Sequence, residues 1–159
     1  MKYLSTKLGS SPVIVKGLFA VSKAAVFEAW TDENEIIQWF GASPNSMQRA
    51  EIDLKVGGLW RFIFEETDEK TVSLEGEYLE IVDNEKLVFS WKHVVRNQKG
   101  ELTQTESSRV TVSFDEGVGG TKVTLIHENI NAETGRLGVG KGWENTFKSF
   151  QNIIVKTNN

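Results

Sequence analysis

The run Val13-Ile14-Val15-Lys16-Gly17-Leu18-Phe19-Ala20 is rich in β-branched residues, and Pro12 stands at the strand start, where proline is tolerated. A first strand is expected there. Ser22 follows as an N-cap, with Val21 and Val26 at hydrophobic-staple positions. A short helix should carry Ala24, Ala25, Phe27 and Trp30. Asp32 caps a second short helix, whose Glu33 and Glu35 favour the positive end of its dipole. It should end near Trp39-Phe40-Gly41 and be broken by Ser43-Pro44-Asn45.

Beyond Pro44 the hydrophobic period becomes two. Ile52 and Leu54 alternate with charged residues, and Gly57-Gly58 makes a turn. Trp60, Phe62 and Phe64 share one face of a strand, with Arg61 opposite. Val72, Leu74, Gly76 and Tyr78 share the next, opposite Ser73, Glu75 and Glu77. After a turn at Asp83-Asn84-Glu85 come Leu87, Phe89, Trp91 and His93. After another at Asn97 to Gly100 come Ser108, Val110, Val112 and Phe114. Gly117 to Gly120 turns the chain into Val123, Leu125 and His127. Half-buried strands joined by short turns form an antiparallel meander.

The last segment has helical period. Trp143, Phe147, Phe150 and Ile154 fall at i, i+4, i+7 and i+11, widened by Thr146 and Ile153, while Glu144 and Lys148 pair outside. The glycines from Gly135 to Gly142 predict a loose or kinked start, a flap over a cavity mouth. A sheet with one apolar face and a helix with one apolar stripe are both buried if the sheet wraps the helix. The expected fold is α+β, with about seven curved strands around a long C-terminal helix. Residues 1–11 are expected as a flexible tail and residues 12–156 as one domain.

Composition narrows the chemistry. The 159 residues include no cysteine, which removes disulfides, thiol nucleophiles and Cys-ligated metals. His93 and His127 are the only histidines, too few for a His-rich metal site. With 18 Lys plus Arg against 22 Asp plus Glu the net charge is −4, giving no basic face for nucleic acid. No stretch approaches the roughly 18 apolar residues of a membrane span, and the N-terminus lacks an export signal, so the cytoplasm is the default compartment. The glycine turns match no phosphate-binding loop. No cofactor is expected. Five Trp and nine Phe remain as the dominant feature.

This order of elements resembles the helix-grip fold, also called Bet v 1-like, START-like or SRPBCC. Several motifs resemble the branch named after the C-terminal domain of the Hsp90 ATPase activator. They are Val26-Phe27-Glu28-Ala29-Trp30-Thr31-Asp32, Trp39-Phe40-Gly41, and Asp53-Leu54-Lys55-Val56-Gly57-Gly58-Leu59-Trp60-Arg61. Gly76-Glu77-Tyr78-Leu79-Glu80-Ile81 and Glu85-Lys86-Leu87-Val88-Phe89-Ser90-Trp91 follow. Gly120-Thr121-Lys122-Val123-Thr124-Leu125-Ile126-His127-Glu128 and Gly142-Trp143 complete the set.

The resemblance implies a cavity between sheet and helix for a hydrophobic or aromatic small molecule. Its candidate lining is Trp60, Phe62, Phe64, Leu74, Tyr78, Phe89, Trp91, His93, Val110, Val112, Leu125 and His127 from the sheet. Trp143 and Phe147 join from the long helix, and Trp39 and Phe40 from the helix closing the end. The competing reading is a core filled by the same aromatics. A second function would be an enzyme of the polyketide cyclase/dehydratase type, with a general base drawn from His93, His127 and Glu106. A third would be a module docking an Hsp90-type chaperone through Ile36, Ile37, Trp39 and Phe40. A homodimer through a sheet edge or the short helices is also open.

Overall fold

Strict alternation sets the first strand of the core. In a computed structural model, which describes residues 3–7, 11–41, 45–130 and 132–156, Val13, Val15, Gly17 and Phe19 point inward along β2 (Val13–Phe19). The chain then turns into α1 (Lys23–Thr31), where the Ser22 hydroxyl accepts from the Ala25 amide at 3.2 Å. Helix α2 (Glu33–Trp39) follows directly. The Asp32 carboxylate accepts from the Asn34 and Glu35 amides at 2.8 and 3.1 Å, satisfying two of the orphan donors of a helix start. Gly41 ends this unit at φ 119, a backbone conformation that suits glycine. Of the expected break at Ser43-Pro44-Asn45, Ser43 and Pro44 lie outside the described residues.

The remaining strands are β3 (Arg49–Ile52), β4 (Leu59–Glu66), β5 (Lys70–Val82), β6 (Lys86–Asn97), β7 (Leu102–Gln104), β8 (Ser108–Gly117) and β9 (Gly120–Glu128). With β1 (Tyr3–Lys7) they form one nine-stranded antiparallel sheet ordered β1-β2-β9-β8-β6-β5-β4-β3, with β7 paired to β6. Helix α3 (Glu133–Phe150) continues into a single π-helical turn, Gln151–Val155. Its Trp143, Phe147, Phe150 and Ile154 are buried against the inner face of the sheet. This is the helix-grip fold.

Four expectations change. Residues 3–7 are a strand where a loose tail was expected: Tyr3 pairs with Leu18 and Lys7 with Ile14, completing the open edge of β2. Residues 1, 2 and 8–10 of that tail, like the expected frayed end at 157–159, lie outside the described residues. Strand β7 was unreadable because all three of its residues are exposed, so no alternation marks it. A register shift between Ile63 and Glu65 breaks the alternation in β4, burying Ile63 together with Phe62. Finally, the glycine run lies inside α3, not in a loose flap before it.

Candidate ligand-binding site

Five aromatic residues fill one end of the interior. Trp39 packs edge-on to Trp30 at 5.0 Å and to Phe150 at 4.9 Å, and its indole N–H donates to the Ala29 carbonyl at 3.1 Å. Phe19 meets Phe150 at 4.8 Å and Phe147 at 5.8 Å. The space between Trp30, Ile36, Phe40, Trp60, Phe62, Tyr78, Leu87 and Phe89 is only about 10 Å³, at the lower limit for one water. Here the side chains fill the core. Trp39, Trp60, Phe62, Tyr78, Phe89, Val110, Val112, Leu125 and Phe147 belong to this packed region and line neither of the chambers described next.

The other end is open. A chamber of about 350 Å³ lies between α3 and the sheet. Phe40, Phe64, Leu74, Trp91, His93 and Trp143 line it, and of these His93 is exposed at its mouth. Its volume falls at the small end of the ligand-pocket range. Gly138 and Gly142, four residues apart on one face of α3, supply the roof. Beyond its own stretch of helix, a Cβ added at either would meet no atom within 4 Å, although Gly138 is exposed and Gly142 half-buried. Glycine inside a helix costs about 1 kcal/mol relative to alanine. Here it leaves room that any side chain would occupy. The one buried polar group of the lining is also spoken for: the Thr146 hydroxyl lies 2.8 Å from the Gly142 carbonyl and 3.2 Å from the Gly41 carbonyl.

A second chamber of about 380 Å³ adjoins the first, and Trp91, His93 and Val139 line both. It adds Thr105, Glu106, Ser108, His127, Asn129, Ile130 and Gly135. The sheet permits it because β6 changes partner: residues 86–91 pair with β8 and 94–96 with β7, leaving 105–107 outside both ladders.

His127 is the buried titratable group of this wall. Trp143 Nε1 lies 3.0 Å from His127 Nδ1, and Ser108 Oγ lies 2.7 Å from Nε2. An indole N–H can only donate, so Nδ1 accepts and the ring proton sits on Nε2. That proton is donated to Ser108, whose hydroxyl is in turn 3.3 Å from the Trp91 carbonyl. Burial lowers the His127 pKa from 6.5 to about 4, so the ring is neutral near pH 7. Ser108 and His127 therefore stand side by side without the polarity of a nucleophile and its base: the nitrogen facing the hydroxyl has no free lone pair. His93 is exposed, and its amide and carbonyl are held by Thr105 at 2.9 and 3.0 Å. Glu106, drawn from sequence as an inward carboxylate, is exposed in the segment between β7 and β8.

Two charged clusters stand apart from the chambers. On the outer sheet face Glu75 receives Arg96, Arg61 at 3.1 Å and the Ser73 hydroxyl at 2.6 Å. Burial works to raise its pKa, but these donors outweigh it and hold the carboxyl near 2. On α1 and α2, Glu28, Asp32 and Glu35 bring carboxylate oxygens within 4.8 Å of one another. Burial, then a hydrogen bond with Glu28 and repulsion from Glu28 and Asp32, raise Glu35 to about 7. Carboxylates gathered this way can share protons without a metal, and among the described residues nothing else at the cluster points to an ion.

The docking patch expected for a chaperone is not at the surface. Ile36, Trp39 and Phe40 are 1%, 0% and 3% exposed, and Ile37 is half-buried. The large exposed apolar side chains of the neighbourhood are Leu54, Val56 and Leu59, at 41%, 65% and 68%, around the β3–β4 turn. Among the described residues no helix is long and apolar enough to cross a membrane.

A sheet gripping a C-terminal helix, with space left between them, defines the SRPBCC class, whose folds commonly bind hydrophobic ligands. Within that class the chain belongs to the family described as Activator of Hsp90 ATPase homolog 1-like protein, whose model matches residues 20–154. No curated protein matches the sequence. Among solved structures it is similar to protein NE0264 from Nitrosomonas europaea, with 18% identity over 93% of this chain and 96% of that one and a TM-score of 0.73. Protein Ms6760 from Mycobacterium smegmatis has 17% identity over 98% of each chain and a TM-score of 0.71. CalU16 from Micromonospora echinospora has 21% identity over 99% of this chain and 87% of that one, with a TM-score of 0.65. At these identities the likeness concerns the fold.

Proposed function

We propose that the protein binds a small apolar or aromatic molecule in the chamber between α3 and the sheet. The observation that carries this is the pair Gly138 and Gly142, whose missing side chains leave about 350 Å³ lined by Phe40, Phe64, Leu74, Trp91 and Trp143. A helix held only for stability would place side chains there. Binding is favoured over catalysis because both ring nitrogens of His127, the buried histidine among the described residues, are engaged, while His93 and Glu106 are exposed. The aromatic walls suit a flat ligand, which can stack on Trp91 or Trp143.

The test is a titration with the neutral fluorophore N-phenylnaphthylamine. The expected result is one saturable site and a melting temperature that climbs with probe concentration, since a ligand at 100 times its Kd stabilises by about 2.7 kcal/mol. Fluorescence that never saturates, with no thermal shift, would sink the proposal.

A further inference from the structure

The second chamber differs from the first in chemistry. Where the first is walled mainly by carbon, the second presents the Ser108 hydroxyl, the His127 ring and Thr105 beside the shared Trp91. Ser108 is 8% exposed, so its hydroxyl sits at the chamber wall and not in bulk water. The relay behind it has a fixed direction. Trp143 donates to His127 Nδ1, His127 Nε2–H donates to Ser108 Oγ, and the Ser108 hydroxyl is left to act as a donor. Its acceptor in the structure, the Trp91 carbonyl, is 3.3 Å away, long for an O–H···O bond. A hydroxyl that already accepts from an N–H is a better donor than an isolated one.

Charge narrows what that donor can meet. Among the described residues lining this chamber Glu106 is the only charged side chain, and it is acidic; Arg136, beside the lining, donates to the Ile130 carbonyl at 3.1 Å. A carboxylate placed here would find no lining cation and would lose its hydration. A neutral oxygen would lose little and gain the Ser108 proton. Trp91, His93 and Val139 line both spaces, so the two adjoin across these side chains, of which His93 is exposed and Val139 half-buried.

We propose that the second chamber is a head-group subsite for a neutral hydrogen-bond acceptor, such as a ketone oxygen. The Ser108 hydroxyl is its donor, and the apolar body of the same ligand occupies the first chamber. This rests on the ligand-binding reading above and names the chemical class of the ligand: an elongated, uncharged molecule with one apolar end and one acceptor oxygen.

The experiment is displacement of N-phenylnaphthylamine by three matched compounds: para-acetylbiphenyl, para-ethylbiphenyl and biphenyl carboxylate. The ketone should bind about 3- to 10-fold more tightly than the ethyl compound, the net worth of one hydrogen bond, and the carboxylate should be weakest. In Ser108→Ala the ratio of ketone to ethyl affinity should collapse toward one, and Ser108→Thr should restore it. Should Ser108→Ala fail to fold, the wild-type protein still gives an answer. The His127 ring ¹⁵N resonances should shift with the ketone and not with the ethyl compound. Equal affinities in the wild type, a carboxylate that binds tightest, a ratio that survives Ser108→Ala, or a His127 ring indifferent to the ketone would each overturn the subsite while leaving the first chamber standing. Failure of the fluorophore and all three biphenyls to bind would overturn both.

Discussion

Replacing Gly142 with leucine adds a side chain where a Cβ meets nothing beyond its own stretch of helix within 4 Å and where the chamber offers about 350 Å³. If this roof is open because a ligand needs it, the substitution should do two opposite things. Leaving glycine inside a helix gains about 0.8–1 kcal/mol. Burying most of a leucine side chain adds about 1–2 kcal/mol, reduced by about 0.5–1 kcal/mol of lost rotamer freedom. The net is a stabilisation of about 1–2 kcal/mol, or about 2–8 °C in melting temperature for a chain of this size. Affinity for N-phenylnaphthylamine should fall at least about tenfold, because the leucine occupies the ligand's place. The assay is a thermal melt and a probe titration on the same preparation. A variant that melts below the wild type would show that the space is not open as described. One that binds the probe as tightly as the wild type would show that the ligand lies elsewhere. Gly138→Leu should behave alike, with a smaller thermal gain because that residue is exposed.

Other consequences follow from single groups. Trp143→Phe keeps an aromatic ring, though a smaller one, but removes the donor to buried His127 Nδ1, and should cost about 1–3 kcal/mol in chemical denaturation. Because folding lowers the His127 pKa from 6.5 to about 4, its neutral form stabilises the protein fully above 6.5. That contribution should be lost as pH falls from 6.5 to 4, by up to about 3 kcal/mol, and His127→Gln should flatten this window in denaturation curves against pH. Glu35 works in the opposite sense: folding raises its pKa from 4.5 to about 7, so the wild type loses stability as pH climbs through that interval. Glu35→Gln should therefore be more stable than wild type above pH 7, with the advantage gone below 4.5; an advantage independent of pH would refute the assignment. At Gly76 a Cβ would lie 1.9 Å from the Ser90 carbonyl oxygen, so Gly76→Ala should destabilise by about 3 kcal/mol or more in the same assay.

The apolar periods made the fold legible. Alternation marked β2, β4, β5, β6, β8 and β9, and the stripe from Trp143 to Ile154 marked α3, because each of these elements buries one face. Strand β7 carried no such signal, since an element with no buried residue leaves no pattern. The glycine run misled for a physical reason. Propensity alone argues against a helix from Gly135 to Gly142, and packing of the segment that follows overrides it. The site was only partly readable. Trp39 and Trp91 look equivalent as inward aromatics, yet one is locked among Trp30 and Phe150 while the other walls two chambers. That difference depends on where α3 has no side chains, and the glycines that create the space had been read as a flap. Ser108, Val139, Gly138 and Gly142 were missed as lining residues. For the glycines the available signal was their spacing, four apart within a helix that has a buried face.

The most direct test of a chamber open at one end of a filled core uses the five tryptophan indole resonances. Their ¹⁵N–¹H signals can be followed in the wild-type protein as N-phenylnaphthylamine is added to saturation. Trp91 and Trp143, which wall the first chamber, should shift, while Trp30, Trp39 and Trp60, in the packed region, should stay. Binding that moved Trp39 and Trp60 but left Trp91 and Trp143 in place would contradict the account.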